Sequence, residues 1–284
     1  MNRNKTIGKR SAVSKINLFL QVTGRRADGY HEIKTLFLPL STPSDIITVY
    51  RRDSAGVEIT TDSSQVPVDE SNICFKAAMK FAEFADISPA WRIHIEKLIP
   101  VAAGLGGGSS DAAALLQILN DHIKKIDQSS LRKLALSLGA DVPFFLNPVP
   151  SIATGIGEEL TPVELKRKLH ILLVYPQFPI SAKWAYQHLA VVPEGKSEEQ
   201  PGAGNYLDVE DISGDIVNDL APAVYEKFPV MKLLTEQMVR AGAVSAGMSG
   251  SGSTIFAICE NHNSLLKIAE NIDKEWGSAV KIIY

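Results

Sequence analysis

Cysteine is scarce: the 284 residues contain only two, Cys74 and Cys259. Each stands among apolar neighbours, in "NICFKAA" and "IFAICE". Neither a disulfide framework nor a thiolate zinc site can be built from them, and both read as small buried hydrophobes in a reducing compartment. Long hydrophobic runs are missing too. No stretch approaches the roughly 18 apolar residues of a membrane span. Arg3, Lys5, Lys9, Arg10 and Lys15 open the chain without an acid, but "AVSKINLFLQV" is interrupted by Lys15 and Asn17 and lacks a small-residue cleavage pattern, which argues against export. Positive charge is not in excess either. A formal net charge of −3 argues against a surface for many phosphate contacts along a nucleic acid. The expectation is a cytoplasmic protein without a membrane or nucleic-acid partner.

What is present suffices for a large core: 45% of residues are hydrophobic and 21% charged, as in one large domain or two of ordinary size. Four early segments have strand character, over 12–22, 33–40, 45–51 and 56–61. In "SKINLFLQV", Ile16, Leu18 and Leu20 face one way and Lys15, Asn17, Phe19 and Gln21 the other, which places Lys15 on a rigid element. A helix is expected over 69–85, a strand over 91–97, and helices over about 110–123 and 129–138. The last of these has Ser129 or Ser130 as its cap and a left-handed exit at Gly139.

"SIATGIGEEL" reads as a hairpin and "HILLVYP" as a strand entering a new unit, with a domain boundary near 165. After a helix over 181–191, the Pro, Gly and acidic residues through position 215 read as an exposed excursion. A helix broken near Pro229, the stretch "AVSAGMSGSGSTIFAICE", a helix over 262–275 and a final strand complete the chain. The fold class is α+β, with residues 1–165 and 166–284 as the two domains.

The stretch "PVAAGLGGGSSDAAALL" at 100–116 lacks lysine, so it is not an ordinary phosphate loop of the G-x-x-x-x-G-K-[ST] kind. Its third Rossmann position is Ser109, and no acidic ribose ligand follows. Glycines at 104, 106, 107 and 108 let the backbone turn sharply and bring its N–H groups close to an oxyanion. Ser109 and Ser110 add hydroxyls where the positive end of the following helix begins. A tight turn with an ordinary Ser or Asp cap is the alternative for such a loop taken alone. A second stretch, "SAGMSGSGSTIF", interleaves Gly247, Gly250 and Gly252 with serines. Two donor-rich loops in different halves of the chain imply a polyphosphate held in a cleft.

The motifs "SKINLFL", "GRRADGYHEIKTLF", "GLGGGSSDAA", "LGADVPFFL" and "MSGSGSTIF", in this order over nearly the whole chain, resemble those of the galactokinase, homoserine kinase, mevalonate kinase and phosphomevalonate kinase superfamily. The similarity is greatest to the branch whose alcohol substrate carries a cytidyl group. The resemblance implies a ribosomal-protein-S5-like N-terminal domain and a ferredoxin-like C-terminal domain. It also implies ATP as donor, Mg²⁺ as companion ion, and phosphorylation of the 2-hydroxyl of a cytidyl-linked methylerythritol on the non-mevalonate route to isoprenoid precursors.

Residue by residue, the resemblance assigns Asp141 as the proton acceptor, with Lys15 paired to it. ATP falls to Pro100, Gly104, Leu105, Gly106, Gly107, Gly108, Ser109 and Ser110, and Gly250 in the second loop falls to the substrate. Tyr30 and His31 read the cytidine: a Tyr ring stacks on a pyrimidine, and His ring nitrogens pair with its edge. Phe178 either closes over the same ring or packs internally, with Tyr186 as competitor and Ser181 as a polar contact. Asn17 either holds the erythritol hydroxyls or makes an internal contact. Asp111, next to the serines, either approaches Mg²⁺ through water or stabilises the first helical turn, so no metal ligand is named. Asn218 and Asp219 read as helix caps. A related kinase for mevalonate, homoserine or a sugar is the nearest alternative, and a silent RNA-binding module a remote one. Both monomer and homodimer are compatible with the sequence.

Overall fold

The computed structural model describes residues 5–189, 206–207 and 216–284. In chain order the N-terminal elements are β1 (Thr6–Arg25), β2 (His31–Arg51), β3 (Gly56–Thr61), α1 (Ile73–Phe84), β4 (Ala90–Glu96), α2 (Gly107–Ile123), α3 (Gln128–Leu136) and α4 (Val142–Phe145). The chain continues with β5 (Ser151–Thr154), β6 (Glu159–Pro162), β7 (Glu164–Leu165), β8 (His170–Tyr175), α5 (Ala182–Gln187), β9 (Tyr206–Leu207), α6 (Ala221–Lys227) and α7 (Pro229–Arg240). It closes with β10 (Ser245–Met248), β11 (Ile255–Cys259), α8 (His262–Trp276) and β12 (Lys281–Ile283). Strands and helices mix throughout, as the α+β expectation requires.

Two compact units interleave along the chain. The first comprises Met1–Ser14, Pro43–Val101 and Gly106–Pro148; the second comprises Lys15–Thr42, Ala102–Leu105 and Val149–Tyr284. Strands β1 and β2 and the glycine stretch each contribute to both.

In the first unit, β4 runs parallel to β3 and antiparallel to the end of β2, pairing Ile46–Arg51 with Trp91–Glu96. Alternation along "AWRIHIE" buries Trp91, Ile93 and Ile95 on one face, the period-two pattern of a half-covered strand. Helices α1 to α4 pack together and bury Phe81, Leu115, Leu116 and Phe144. Each such side chain contributes about 1.5–3 kcal/mol by leaving water.

In the second unit, β8 sits between β11 and β12 in the order β10-β11-β8-β12, all antiparallel. Helices α7 and α8 pack on this sheet. Their apolar stripes bury Met231, Leu234 and Met238, and Leu265, Ile268 and Ile272. The start of β2 pairs with β5, β5 and β6 form the expected hairpin, and β7 pairs with β9.

Several local expectations need correction. The segments 33–40 and 45–51 are one strand, β2, despite Pro39 and Pro43. Neither proline falls in the stretches paired with β5 or β4, where a missing N–H would break the ladder. Both faces of β1 are covered around its middle, so residues 14–20 are all buried. Helix α1 starts only after Asn72, which accepts from the Cys74 N–H at 2.7 Å. Asp127, not a serine, caps α3 by accepting from the Ser130 N–H. Gly139 is absent from the positive-φ positions among the described residues, and α3 ends at Leu136 with its C-cap, Ser137, in right-handed geometry. The break at Pro229 occurs as expected, between α6 and α7. The helix expected over 181–191 is α5, which already ends at Gln187 with His188 as its C-cap, and the exposed excursion, except the backbone of β9, lies outside the described residues. Both cysteines are buried and free. Among the described residues no helix is long and apolar enough to cross a membrane.

Candidate active site

Lys15 and Asn17 are 5% and 3% exposed, so protein partners must replace their hydration. The Lys15 N–H donates to the Leu105 carbonyl at 3.0 Å, which ties β1 to the glycine stretch. Its ammonium donates to Asn17 Oδ1 at 2.6 Å and sits 4.7 Å from the centre of the Phe37 ring, a cation–π position. Asn17 Nδ2 donates to Thr35 Oγ1 at 2.8 Å. Asn17 is therefore internally engaged at both ends of its amide.

The two glycine stretches, distant in sequence, meet inside the second unit. Ser249 Oγ donates to the Gly104 carbonyl at 2.9 Å and accepts from the Asn17 N–H at 3.2 Å. The Thr254 N–H donates to the Ala103 carbonyl at 3.1 Å. Gly104 has φ +79, and a Cβ there would lie 2.1 Å from the Ser249 carbonyl oxygen. Only glycine fits this approach. Gly250, at φ +55, would place a Cβ 3.0 Å from Asn17 Oδ1. Asn218, expected to cap a helix, accepts from the Leu220 N–H just ahead of α6 at 3.0 Å, and with Asp219 it also braces this region. Asn218 Nδ2 donates to the carbonyls of Met248 and Gly250, both at 2.8 Å, and Asp219 Oδ2 accepts from the Val22 N–H at 2.7 Å.

At the β1–β2 turn, Gly29 has φ +88 and Asp28 accepts from the Tyr30 N–H at 3.1 Å. Tyr30 is left 60% exposed, so its ring is open to a ligand. His31 stacks on Tyr186, with ring centres 5.4 Å apart and planes 20° apart. Burial, then the charge of Arg25, hold the His31 ring below its ordinary value, so at neutral pH one nitrogen donates and the other accepts. Phe178 stacks on Phe228 at 5.3 Å, which is internal packing. Ser181 caps α5 by accepting from the Trp184 N–H at 3.3 Å.

In the first unit, α2 begins at Gly107 after Gly106 in left-handed geometry, earlier than the sequence pattern implies. No side chain caps its first turn among the described residues, so the N–H groups there face outward with the helix dipole behind them. Gly108 is exposed, Ser109 half-buried, and Ser110 buried, so Ser109 has the more accessible hydroxyl. Leu105 is 1% exposed and offers a ligand backbone only. Asp141 occupies the N-cap position of α4 but makes no capping bond there.

The same unit contains a cluster that the sequence reading overlooked. Lys97 Nζ donates to Asp45 Oδ2 at 2.5 Å and Asp111 Oδ2 at 2.7 Å. Asp45 Oδ1 accepts from the N–H groups of Leu98 and Ile99, at 2.6 and 2.8 Å. The residues entering the glycine stretch are thus tied to β2 through Asp45 and to α2 through Asp111. Burial foremost pushes the Asp111 carboxyl up to about 7, against the pull of the Lys97 charge. For Lys97, burial acts downward but the charges of Asp111 and Asp45 outweigh it, leaving the ammonium above its ordinary value. A lysine between two acids distant in sequence carries no local periodic signal.

The chain matches the N-terminal domain of the GHMP kinases over residues 72–147 and their C-terminal domain over 205–278. It is 36% identical to the 4-diphosphocytidyl-2-C-methyl-D-erythritol kinase of Pelodictyon phaeoclathratiforme, covering 89% of each chain. The chain belongs to the GHMP kinase family. A solved 4-(cytidine 5'-diphospho)-2C-methyl-D-erythritol kinase superposes with a TM-score of 0.77 at 32% identity, covering 97% of this chain and 98% of that one. Homoserine kinase from Cytophaga hutchinsonii superposes with a TM-score of 0.73 at 20% identity, a likeness of fold alone.

For a GHMP kinase, ATP is the phosphoryl donor. Whether the residues suit a metal can be tested on their donors. Among the described residues no three or more His, Cys, Asp or Glu side chains converge as a metal cluster; Asp111 gives one oxygen to Lys97, and its other oxygen is buried without a hydrogen-bond partner. An ion that arrives on nucleotide phosphates and keeps its waters needs no such cluster, and Ser109 is the more accessible hydroxyl beside the glycine stretch.

Proposed function

We propose that this kinase transfers the γ-phosphoryl group of ATP to the 2-hydroxyl of 4-diphosphocytidyl-2-C-methyl-D-erythritol, as a cytoplasmic enzyme of isoprenoid precursor synthesis. The observation that carries the reading is the conjunction of a buried, fully oriented Lys15 with a His31–Tyr186 stack beside an exposed Tyr30, in a chain similar throughout its length to kinases of that name. A phosphate-only site would have no use for the aromatic group, which suits a pyrimidine.

In this reading the alcohol attacks the γ-phosphorus in line, and the chain's work is alignment and charge stabilisation. Lys15 places positive charge at the transferring phosphoryl group. Asp141 accepts the alcohol proton late, as the new bond forms, because a carboxylate is too weak a base to form a free alkoxide. The N–H groups of 106–109, with Gly104, Leu105, Pro100 and Ser110 shaping the approach, receive the triphosphate. Mg²⁺, when bound, neutralises phosphate charge. Tyr30 and His31 receive the cytosine; Gly250, Asn17 and Ser181 border the substrate, and Phe178 supports this region by packing. The proposed domains, 1–165 and 166–284, divide the chain by sequence, whereas the compact units interleave across that division; the enzyme acts as a monomer or homodimer.

The test is single-turnover transfer with ATP and Mg²⁺ on the cytidyl alcohol, beside mevalonate, homoserine and galactose. Transfer to the cytidyl alcohol alone is expected, and Asp141→Asn slows it by at least about 10²-fold with nearly unchanged ATP affinity. Transfer only to another alcohol refutes the substrate, and near-wild-type transfer in Asp141→Asn removes that residue from the chemistry.

A further inference from the structure

Asn17 lies between a group that can only donate and a group that can only accept. On one side the Lys15 ammonium donates to Asn17 Oδ1 at 2.6 Å. On the other, Asn17 Nδ2 donates to Thr35 Oγ1 at 2.8 Å, and the Thr35 hydroxyl donates to the Phe19 carbonyl at 2.5 Å. Thr35 is 0% exposed, so no water replaces either bond. The direction of every hydrogen is then set by chemistry: an ammonium has no acceptor and a carbonyl no donor. With its one proton on Phe19, the Thr35 oxygen can only accept from Asn17, which turns the Asn17 amide oxygen toward Lys15.

We infer that Thr35 is a positioning residue for phosphoryl transfer: its hydroxyl sets the orientation of the Asn17 amide and, through it, the position of the Lys15 ammonium over the Phe37 ring. The inference rests on the proposed role of Lys15. Thr35 lies on β2 where that strand pairs with β5, opposite Ala153, so a rigid sheet supports the hydroxyl. A ladder of donors running one way also strengthens each of its members. Valine has nearly the same shape but neither donates nor accepts. Thr35→Val leaves the Phe19 carbonyl without this donor and the Asn17 amide without the acceptor that orients it.

The experiment compares Thr35→Val, Thr35→Ser, Asn17→Ala, the Thr35→Val/Asn17→Ala double variant and Lys15→Ala, each for kcat, KM for ATP and thermal midpoint. Thr35→Val is expected to lower kcat by about 10-fold with KM for ATP within about two-fold, and Thr35→Ser to restore kcat. In the Asn17→Ala background the same Thr35→Val change is expected to cost less than about two-fold, because the group it acts through is gone. Should Thr35→Val not fold, Thr35→Cys, a weaker donor and acceptor of similar volume, takes its place in the comparison. A lowered thermal midpoint with wild-type kcat, or a full additional loss in the Asn17→Ala background, overturns the inference. If Lys15→Ala abolishes transfer while Thr35→Val does not impair it, the role of Thr35 falls and that of Lys15 stands. If Lys15→Ala transfers normally, the role of Lys15 itself falls.

Discussion

Replacing Lys97 with methionine tests what holds the glycine stretch in place. The lysine side chain is 7% exposed, and its partners Asp45 and Asp111 are 0% and 5% exposed. Solvent therefore cannot take over when the ammonium is removed. Stripping the cation from a buried pair typically costs about 3–5 kcal/mol, because the remaining charge has no compensation. That is a large share of the roughly 5–15 kcal/mol that holds a typical domain folded.

The loss depends on pH with a definite sign. Asp111 stands at about 7 in the folded chain against an ordinary value of 3.8. Between those values the folded state binds more protons than the unfolded one, so stability is full below the lower value and declines as pH rises toward the upper. In the wild type this contribution is spent above about pH 7. Without the Lys97 charge the Asp111 value climbs further, and the decline continues at up to about 1.4 kcal/mol per pH unit. Urea unfolding of both proteins at about pH 6, 7 and 8.5 measures it, and adding Asp111→Asn should abolish the extra slope. A Lys97→Met protein within about 1 kcal/mol of wild type, or parallel pH curves, refutes the reasoning.

Three further outcomes follow from single contacts. Gly104→Ala meets the Ser249 carbonyl oxygen at 2.1 Å in a left-handed conformation and is expected to destabilise by at least about 2 kcal/mol in urea unfolding; a change below about 0.5 kcal/mol would mean that the two glycine stretches do not press together. Asn72→Ala removes the acceptor of the Cys74 N–H and should cost about 1 kcal/mol by the same assay; an unchanged unfolding midpoint would rule out the cap. Tyr186→Ala removes the ring on which His31 stacks and is expected to raise KM for the cytidyl alcohol by about 5- to 10-fold while leaving KM for ATP alone; an equal effect on both substrates would separate the stack from base recognition.

Periodicity and turn chemistry are local, and they were legible. The alternation of β4, the apolar stripe of α8, the hairpin of β5 and β6 and the break at Pro229 follow from residues within a few positions of one another. The ordered motifs made the kinase family legible as well. Cap identities were harder: Asp127 outcompetes Ser129 and Ser130 for α3, because which side chain reaches the first free N–H depends on where the backbone turns. The sequence pattern divides 33–40 from 45–51, yet Pro39 and Pro43 lie outside the paired registers with β4 and β5 and one strand runs through both segments.

The sequence by itself determined the α+β class, the family, and the candidacy of Lys15, Asn17 and the glycines, since these depend on residue types at fixed local spacing. Tertiary structure alone decided that Ser249 grips Gly104, that Asn17 is held between Lys15 and Thr35, and that Lys97 joins Asp45 to Asp111. Apart from the Lys15–Asn17 bond within β1, each of those contacts joins positions on different elements or on opposite flanks of the glycine stretch. Hydrogen bonds and buried charges act over a few ångströms of space, and one-dimensional spacing does not encode which distant residues come that near.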